Sequence, residues 1–287
     1  MSVAYRDEDV EFSSGKGSGD ENFPVGSFLI APPLRPHVKA YYDFARAADD
    51  IGDEPSLSAE EKIRRLDAYR AVLMGDAEGL TRPSILRRSL IEMNIPLERG
   101  SDLLSAFSQD AVQRRYRSLL ELLDYCRRSA NPVGQFLLDL HGEDRALFTA
   151  SNALCTSLQI LNHLQDAGDD LRTLDRSYLP QDWLLEEDAR VEDVLADQAS
   201  PGLRRVMNRL LAVCADLNKE AERLVYGLKS RRLAAESAVI VRLAHRLTER
   251  LLKDDPIAGR VALTKADFLA AGAGGVFAAA FSKRRAA

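Results

Sequence analysis

The sequence predicts an all-α, single-domain protein. Apolar residues recur at helical spacing through most of the 287 residues, and the alternation of apolar and polar residues that marks β-strands is nearly absent. No internal repeat and no linker rich in Gly, Pro or Ser divides the chain. Hydrophobic residues make up 46% of the composition and charged residues 29%, as in ordinary globular proteins. We therefore expect helices packed around one central core.

Several segments carry the helical prediction. Ser58, followed three residues later by Glu61, has the form of a capping box and predicts that a helix begins there. An earlier helix is predicted from His37 to Asp50, after two prolines. The remaining segments with helical periodicity are residues 114–128, 145–170, 203–228 and 233–252.

The two ends of the chain are predicted to lie outside the domain, which we place at residues 21–270. Residues 1–20 are polar and rich in Gly and Ser, which predicts a disordered tail. Residues 271–287 are first small and apolar and then basic, which predicts a flexible C-terminal tail. The acidic N-terminus lacks the apolar segment of a signal peptide. No uninterrupted apolar run reaches membrane-spanning length.

The net charge and the cysteines indicate which binding partners and which cellular compartment to expect. The formal net charge of -5 gives no electrostatic footprint for binding nucleic acid, so we expect no nucleic-acid partner. The three cysteines, Cys126, Cys155 and Cys214, are widely spaced and have no metal or redox pattern. Reduced, buried thiols of this kind are typical of a cytoplasmic protein.

A first acidic cluster lies in the helix predicted after the prolines. Asp49 and Asp53 are four residues apart, so a helix places them on one face, one turn above another. Arg46 lies three residues before Asp49, and Tyr42 four residues before Arg46. The spacing therefore predicts one stripe that presents a phenol, a guanidinium and two carboxylates.

A second acidic cluster lies at the end of the segment 145–170. Asn162, Asp166 and Asp170 follow one another at four-residue steps and share a helix face. Apolar residues stand between them and can pack around the stripe. The two clusters thus have the same design, although more than a hundred residues separate them.

Stacked carboxylates need a counter-charge, because like charges at this spacing repel and burial makes the repulsion worse. Magnesium is a suitable partner, since it takes oxygen ligands, keeps several waters and uses one or two carboxylates together with substrate phosphates. Two stripes on facing helices could hold several magnesium ions and, through them, a diphosphate. The pattern alone leaves open the alternative that both clusters are solvated acidic patches or helix ends.

With these clusters the chain resembles the squalene/phytoene synthase family from about residue 22 to residue 268. The family's first motif is Tyr-x-x-x-Arg-x-x-Asp-Asp-x-x-Asp, and it is matched here by Tyr42, Arg46, Asp49, Asp50 and Asp53. Its second motif is Gln-x-x-Asn-x-x-x-Asp-x-x-x-Asp, matched by Gln159, Asn162, Asp166 and Asp170. A downstream element of Arg, Tyr and Pro is matched by Arg176, Tyr178 and Pro180.

The resemblance implies a helical isoprenoid synthase fold with a central apolar cavity, and it assigns roles to the motif residues. Ligands of several Mg²⁺ ions would be Asp49, Asp53, Asp166, Asp170 and Asn162. The four aspartates and Tyr42 would form the catalytic set. Residues expected to bind the isoprenoid diphosphate substrate are Asn22, Phe23, Arg46, Tyr125, Gln159, Asn162, Gln165, Arg172 and Tyr178, with the two arginines as clamps on the diphosphate.

Within the family, the likeness is greatest to bacterial enzymes of hopanoid biosynthesis that make hydroxysqualene. Residues 21–25 replace a Ser-rich segment, and residues 131–134 replace a Gly-rich stretch that is usual in synthases joining two prenyl diphosphates. The resemblance therefore implies a lyase reaction: presqualene diphosphate loses diphosphate, the cation rearranges and water captures it. No dinucleotide fingerprint is present, so no nicotinamide cofactor is expected.

Two other functions stay open at this point. One is a head-to-head transferase that joins two prenyl diphosphates, as squalene, dehydrosqualene and phytoene synthases do. The other is a non-catalytic scaffold of the same fold, which we would expect to have lost the motif aspartates. The very apolar substrate of the favoured reaction also leads us to expect loose association with the inner face of the membrane and contact with neighbouring pathway enzymes.

Overall fold

Helices account for nearly all the regular structure of the computed structural model, which describes residues 3–12 and 30–281, with side chains as far as residue 273. This confirms the predicted all-α class. The α-helices of these residues are α1 (Asp7–Val10), α2 (Arg35–Asp53), α3 (Ala59–Met74), α4 (Thr81–Glu92), α5 (Glu98–Asp110), α6 (Leu119–Ser129), α7 (Asn131–Leu140), α8 (Phe148–Gln165), α9 (Ala167–Leu174), α10 (Gln181–Glu186), α11 (Pro201–Gly227), α12 (Arg231–Lys253) and α13 (Lys265–Phe281).

Short 3₁₀ helices and one small sheet complete the architecture of the described residues. The 3₁₀ helices are Pro32–Leu34, Arg145–Leu147 and Val191–Leu195. The sheet pairs β1 (Val3–Ala4) with β2 (Ala77–Glu78) in parallel.

Residues 3–12 differ from the disordered tail predicted for residues 1–20. They reach the body of the protein through β1 and through Val10, whose side chain is buried. The carboxylate of Glu11 accepts a hydrogen bond from the hydroxyl of Tyr69 and pairs with Arg82. A two-residue strand, one buried apolar residue and a few paired acids form no periodic signal, which explains why the sequence did not indicate this segment. The rest of that tail lies outside the described residues.

Local sequence signals explain where the main helices begin. Ser58, Ser200 and Ser230 each accept a hydrogen bond from a backbone N–H of the first turn, as N-cap residues of α3, α11 and α12. Proline occupies the first turn of α2 and of α11, where its missing N–H has no partner to lose. The helix predicted over 145–170 is divided at Asp166 into α8 and α9, and the backbone of Asp170 still donates to Asp166 at 2.8 Å.

The packing has two apolar clusters where the sequence suggested one central core. The first is built mainly from α2 to α5, and the second from α8, α11 and α12 with the segments between them. Helix α7 contributes to both, with Phe136 and Leu140 in the first cluster and Leu138 in the second. Helix α2 is therefore anchored in one cluster and α8 in the other, which leaves a space between their polar faces.

The C-terminal end of the described chain is helical as well. Helix α13 begins at Lys265, packs against α12 and continues to Phe281, so it includes residues that we had assigned to a flexible tail from 271 onward. Residues 282–287 of that tail lie outside the described part. Among the residues that the structure describes, no helix is both long enough and apolar enough to cross a membrane.

Gly134 in α7 allows the close approach of α7 to α8, and we expect Gly134→Ala to destabilise the protein. An added Cβ would lie 2.3 Å from the Oγ of Ser151 and 2.7 Å from the Sγ of Cys155. Overpacking of this kind typically costs about 1–3 kcal/mol. Chemical denaturation should show a lower free energy of unfolding for this variant.

Gly259→Ala is the matched control for that measurement, because an added Cβ there meets no atom within 4 Å. Equal free energies of unfolding for Gly134→Ala and Gly259→Ala would contradict this prediction. They would show that α7 and α8 can accommodate the added methyl group without loss of stability.

Candidate active site

The polar faces of α2, α8 and α9 line a chamber that is open to solvent. It contains both acidic stripes predicted from the sequence. Residues that line the chamber are Tyr42, Ala45, Arg46, Asp49, Asp53, Phe107, Asp110, Tyr125, Ser129, Gln159, Asn162, His163, Asp166, Asp170, Leu174, Arg176 and Tyr178. The chain therefore brings together two motifs that are far apart in sequence.

The first stripe lies along α2, whose opposite face is buried through Phe44, Ala48 and Ile51. This burial fixes the rotation of the helix and turns the polar residues toward the chamber. Arg46 forms an ion pair with Asp49, and its Nε lies 3.4 Å from Asp50 Oδ1. The guanidinium therefore already partly neutralises the acids of its own helix.

The second stripe runs from the end of α8 into α9. Ile160, Leu161 and Leu164 are buried in the second apolar cluster and fix the rotation of α8. Asp166 is the junction of the two helices, and the bond between the backbone groups of Asp166 and Asp170 keeps the helical path across it. The stripe therefore continues through the junction.

Arg176, which was not among the site residues predicted from the sequence, contacts both stripes: its backbone N–H donates to the backbone oxygen of Asp170 at 3.2 Å, and its side chain reaches Asp53. Its side chain is 7% exposed, and its Nη1 donates to Asp53 Oδ1 at 2.9 Å. Its Nε lies 4.0 Å from Asp110 Oδ1. Burial alone would lower the pKa of Arg176, but Asp110, Tyr178 and Asp53 together outweigh it and raise the pKa. The signal for Arg176 was present in the Arg-x-Tyr-x-Pro element that also supplied Tyr178.

Asp110 at the end of α5 is a third acidic contribution, outside both motifs. It is 6% exposed and accepts hydrogen bonds from the hydroxyls of Tyr125 at 2.6 Å and Tyr178 at 3.3 Å. Burial raises the pKa of Asp110 to about 6, although the charge of Arg176 and the hydrogen bond from Tyr125 oppose the rise. A single acid in an amphipathic helix has no distinctive spacing, so sequence reasoning had no signal for it.

The two stripes affect each other electrostatically. Burial raises the pKa of Asp170 to about 7, and the charges of Asp166 and, from the other stripe, Asp53 contribute to the rise. Burial and the charge of Asp53 also raise the pKa of Asp49, against the opposing effect of Arg46. The chamber thus holds more negative charge than its own side chains neutralise, which is the situation that a bound divalent cation relieves.

The donor set suits magnesium better than it suits a metal held wholly by protein. Within the described part of the chain, no three His, Cys, Asp or Glu side chains form a ready-made metal cage. Magnesium normally binds through one or two carboxylates and completes its shell with waters and substrate phosphates. Pairs of carboxylates on two sides of an open chamber, with the amide of Asn162 beside them, match that requirement.

Aromatic rings form one wall of the chamber. His163 stacks on Tyr178, with ring centroids 3.4 Å apart, and Tyr178 in turn contacts Tyr116 and Tyr125. Burial and the charge of Arg176 lower the pKa of His163 to about 3, so its imidazole is neutral at pH 7. In the sequence no second histidine stands at a ligand spacing from His163, so spacing offered no signal for this residue.

An apolar channel joins the chamber at Tyr42 and Ala45, which line both spaces. The channel has a cavity volume of about 270 Å³, close to the lower end of the range of about 300–1,000 Å³ that is usual for ligand pockets. Its wall comes from α2, α7, α8, α11 and α12 and includes Val38, Gly134, Phe136, Leu154, Leu158, Leu224, Leu233 and Ile240. The channel confirms the apolar cavity expected from the resemblance.

Four residues predicted to bind substrate do not line the chamber or are not described. The side-chain amide of Gln165 donates to the backbone oxygen of Val261 at 2.7 Å. Arg172 is exposed and pairs with Asp169 at 2.7 Å. Asn22 and Phe23 lie outside the described residues, so their predicted roles stay predictions.

Comparison with known proteins agrees with these features. The family model for squalene/phytoene synthase matches residues 17–267. The hydroxysqualene synthase of Rhodopseudomonas palustris is 42% identical over 264 residues, covering 92% of this chain and 90% of the relative. That of Zymomonas mobilis is 42% identical over 258 residues, covering 89% of this chain and 87% of the relative. The crystal structure of the squalene synthase HpnC from Alicyclobacillus acidocaldarius superposes with a TM-score of 0.71 at 31% identity, covering 80% of this chain and 87% of that one.

The raised pKa of Asp170 predicts how the stability of the metal-free protein depends on pH. An unfolded Asp has a pKa near its usual value of about 4, so between about pH 4 and pH 7 the folded state binds more protons than the unfolded state. Stability from this group therefore falls as the pH rises through that window. We expect Asp170→Asn to become progressively more stable than the unmodified protein from pH 4 to pH 7.

Denaturation curves measured in a chelator across that pH range check this prediction. Asp216→Asn, at an exposed site on α11 where the carboxylate pairs with Lys219, is the control and should follow the unmodified protein. Parallel pH profiles for Asp170→Asn and the unmodified protein would contradict the assigned electrostatics.

Proposed function

Because this chain belongs to the squalene/phytoene synthase family, we propose that it is a hydroxysqualene synthase that converts presqualene diphosphate to hydroxysqualene. Diphosphate leaves, the resulting cyclopropylcarbinyl cation rearranges, and water captures the product cation. The observation that carries the proposal is the junction of an acidic chamber with an apolar channel at Tyr42 and Ala45. Curated relatives named for this activity, at 42% identity, support it.

The two spaces match the two parts of the substrate. The diphosphate belongs in the chamber, where charged groups surround it, and the hydrocarbon chains belong in the channel. Tyr42 and Ala45, which line both, then stand beside the carbon–oxygen bond that breaks. Holding the reacting bond at this boundary separates the charged leaving group from the cation that it leaves behind.

Magnesium would be held by Asp49, Asp53, Asp166 and Asp170, with the oxygen of Asn162 as a further ligand. When bound, it would supply positive charge to the departing diphosphate. The protein itself holds these side chains in one chamber. They lie on helices whose rotation is fixed by their buried apolar faces. Pre-organised charge of this kind acts where the charge develops in the transition state.

Two arginines are placed to bind the diphosphate directly. Arg46 and Arg176 both line the chamber, and a guanidinium can donate two parallel hydrogen bonds to phosphate oxygens. Arg176 is already oriented by Asp53 and lies near Asp110. Its side chain therefore needs little reorganisation when substrate binds.

Aromatic rings stand where a cation would form. The rings of Tyr42, Tyr125 and Tyr178 line the chamber. An aromatic face attracts a nearby cation by about 0.5–2 kcal/mol, and a ring cannot trap the cation as a nucleophilic oxygen would. The hydroxyls of Tyr125 and Tyr178 both donate hydrogen bonds to Asp110, which fixes the orientation of these two rings.

We further propose that the enzyme acts in hopanoid synthesis, in the cytoplasm, at the inner face of the membrane and near the other enzymes of its pathway. A C₃₀ hydrocarbon dissolves poorly in water, so delivery from a membrane is advantageous. Phe268 and Leu269 on α13 are exposed apolar residues that could contact lipid. Co-sedimentation with lipid vesicles tests this association.

The product made from presqualene diphosphate tests the activity itself. With Mg²⁺ and without a reductant, we expect an alcohol with the mass of hydroxysqualene, together with released diphosphate. Asp49→Ala and Asp166→Ala should each lower the rate at least about 100-fold, because each removes a carboxylate that would hold the Mg²⁺ whose positive charge the departing diphosphate requires. Asp216→Asn should retain the full rate.

A second assay, with farnesyl diphosphate in place of presqualene diphosphate, distinguishes the two alternative functions. Condensation of farnesyl diphosphate supplied alone would instead assign a head-to-head synthase. If a correctly folded protein converts neither substrate in the presence of Mg²⁺, the result would favour the non-catalytic scaffold.

Arg176→Gln is expected to lower kcat/KM by about 100-fold or more, since a charged group that stabilises the leaving diphosphate is lost. Arg176→Lys should restore part of the activity, because the charge returns without the bidentate geometry. Steady-state kinetics with presqualene diphosphate measure both.

Arg127→Gln is the control for this series, because Arg127 is exposed on α6 and pairs with Asp124. Arg172→Gln, in the same assay, decides whether that exposed arginine takes part in binding as the sequence predicted. Equal kcat/KM values for Arg176→Gln and Arg127→Gln would show that Arg176 does not contribute to the reaction.

A further inference from the structure

Two residues of the chamber wall, Arg176 and Tyr178, lie in the non-helical segment between α9 and α10. Both are buried. Helical hydrogen bonds do not fix the course of such a segment, and an unrestrained backbone residue keeps considerable conformational freedom. The contacts that hold this segment therefore determine where the guanidinium of Arg176 lies in the chamber.

The stretch of chain ahead of α6 supplies some of these contacts. The backbone N–H of Ser177 donates to the backbone oxygen of Arg114 at 3.0 Å. Further along, the backbone N–H of Gln181 donates to the backbone oxygen of Tyr116 at 2.9 Å. An isolated parallel bridge also pairs Tyr116 with Pro180. These backbone bonds hold the part of the segment that follows the chamber arginine.

Three charged residues, Arg114, Arg115 and Asp175, hold the part that precedes Arg176, and we call them the clasp. Asp175 is the C-cap residue of α9 and has a left-handed backbone, with a φ of 50°. Arg115 donates from Nη1 to the backbone oxygen of Asp175 at 2.5 Å and from Nη2 to its Oδ1 at 2.7 Å. Arg114 donates from Nη1 to its Oδ2 at 3.2 Å. Arginines thus bind both carboxylate oxygens and also the peptide oxygen that precedes Arg176.

The clasp lies near the protein surface, where ion pairs contribute little to stability. The side chains of Asp175 and Arg114 are 59% and 54% exposed, and that of Arg115 is half-buried. Exposed pairs of this kind gain little free energy, because water weakens their attraction and the side chains lose freedom. The clasp residues are also absent from the lining of the chamber. Their main effect is therefore geometric, because they fix one residue through its side chain and its backbone together.

Both peptide units that flank Arg176 are fixed by these contacts. In the unit before it, Arg115 holds the oxygen, and the N–H of Arg176 donates to the backbone oxygen of Asp170 at 3.2 Å. In the unit after it, the N–H of Ser177 is held by the backbone oxygen of Arg114. Because peptide units are planar, fixing the two units sets the direction in which the side chain of Arg176 leaves the backbone.

We propose that Arg115 and Asp175 are positioning residues for the reaction: by fixing the peptide unit before Arg176, they hold its guanidinium where the diphosphate departs. This inference rests on the proposed function. Without the clasp, Arg176 keeps its charge but samples a wider range of positions, so its contact with the diphosphate weakens. A charge that is already in place stabilises a transition state better, because it needs no reorganisation when the bond breaks.

Removal of the clasp tests this role through the turnover of presqualene diphosphate with Mg²⁺. Asp175→Gly deletes the carboxylate but keeps the left-handed backbone available, since glycine adopts that conformation freely. We expect kcat/KM to fall about 10-fold, because a small misplacement of a positioning group can cost up to about 100-fold. Arg115→Gln should lower kcat/KM by a similar factor. Asp175→Asn should retain more activity than Asp175→Gly, because asparagine tolerates the left-handed conformation and keeps an acceptor oxygen for Arg115.

A double-mutant cycle distinguishes positioning from general support of the fold. In the Arg176→Gln background, adding Asp175→Gly should change kcat/KM by less than about twofold, because the group that the clasp positions is already absent. A clasp that only supported the fold would lower kcat/KM by the same factor in both backgrounds. Arg115→Gln allows the same comparison where Asp175→Gly proves too unstable to assay.

Arg117→Gln is the matched control, because Arg117 is an exposed arginine of the same stretch of chain and pairs with Glu121. It should keep the full kcat/KM. Binding of inorganic diphosphate with Mg²⁺, measured by calorimetry, gives a readout that does not depend on turnover. Asp175→Gly should weaken this binding, as Arg176→Gln does, whereas Arg117→Gln should leave it unchanged.

The two proposals fail in different ways. An unmodified enzyme that releases no diphosphate from presqualene diphosphate would refute the proposed function. An active unmodified enzyme whose kcat/KM is unchanged in both Asp175→Gly and Arg115→Gln would refute the positioning role alone. Equal losses from Asp175→Gly with Arg176 present and with Arg176→Gln would also refute it, since the clasp would then act through something other than Arg176.

Discussion

The repulsion between two sets of carboxylates is the interaction on which the organisation of this protein depends. Asp49 and Asp53 on one side and Asp166 and Asp170 on the other line one chamber, and the charge of Asp53 contributes to the raised pKa of Asp170. Such an arrangement is unfavourable by itself, so the rest of the fold has to hold it. Each stripe is anchored through the buried opposite face of its helix, and the two helices belong to different apolar clusters.

Buried polar contacts complete that support. Arg176 reaches Asp53 in one direction and lies near Asp110 in the other, while Asp110 accepts hydrogen bonds from Tyr125 and Tyr178. The contacts connect the end of α2, the end of α5 and the segment after α9. A charge network of this kind holds side chains in position more than it adds stability, because desolvation offsets much of its attraction. The chamber is therefore pre-organised for an anionic ligand.

What the sequence could predict follows from how local each feature is. The stripes repeat every four residues within single helices, so Tyr42, Arg46, the aspartates and Asn162 were all found, and the structure places them in one chamber. The family, inferred from the same motifs, is confirmed. Asp110 has no periodic partner, and the channel wall combines five helices from distant parts of the chain. Features of this kind depend on tertiary packing, which spacing along one helix does not encode.

The separation of charged and apolar spaces also constrains the order of chemical events. Ionisation needs the counter-charges of the chamber, whereas the fate of the cation is decided by whatever nucleophile or base the channel wall presents. Among the residues that the structure describes, Tyr42 and Ala45 are common to the two spaces, so the other residues of the channel wall can change without altering the acidic stripes. One framework for breaking the carbon–oxygen bond is thus compatible with different products.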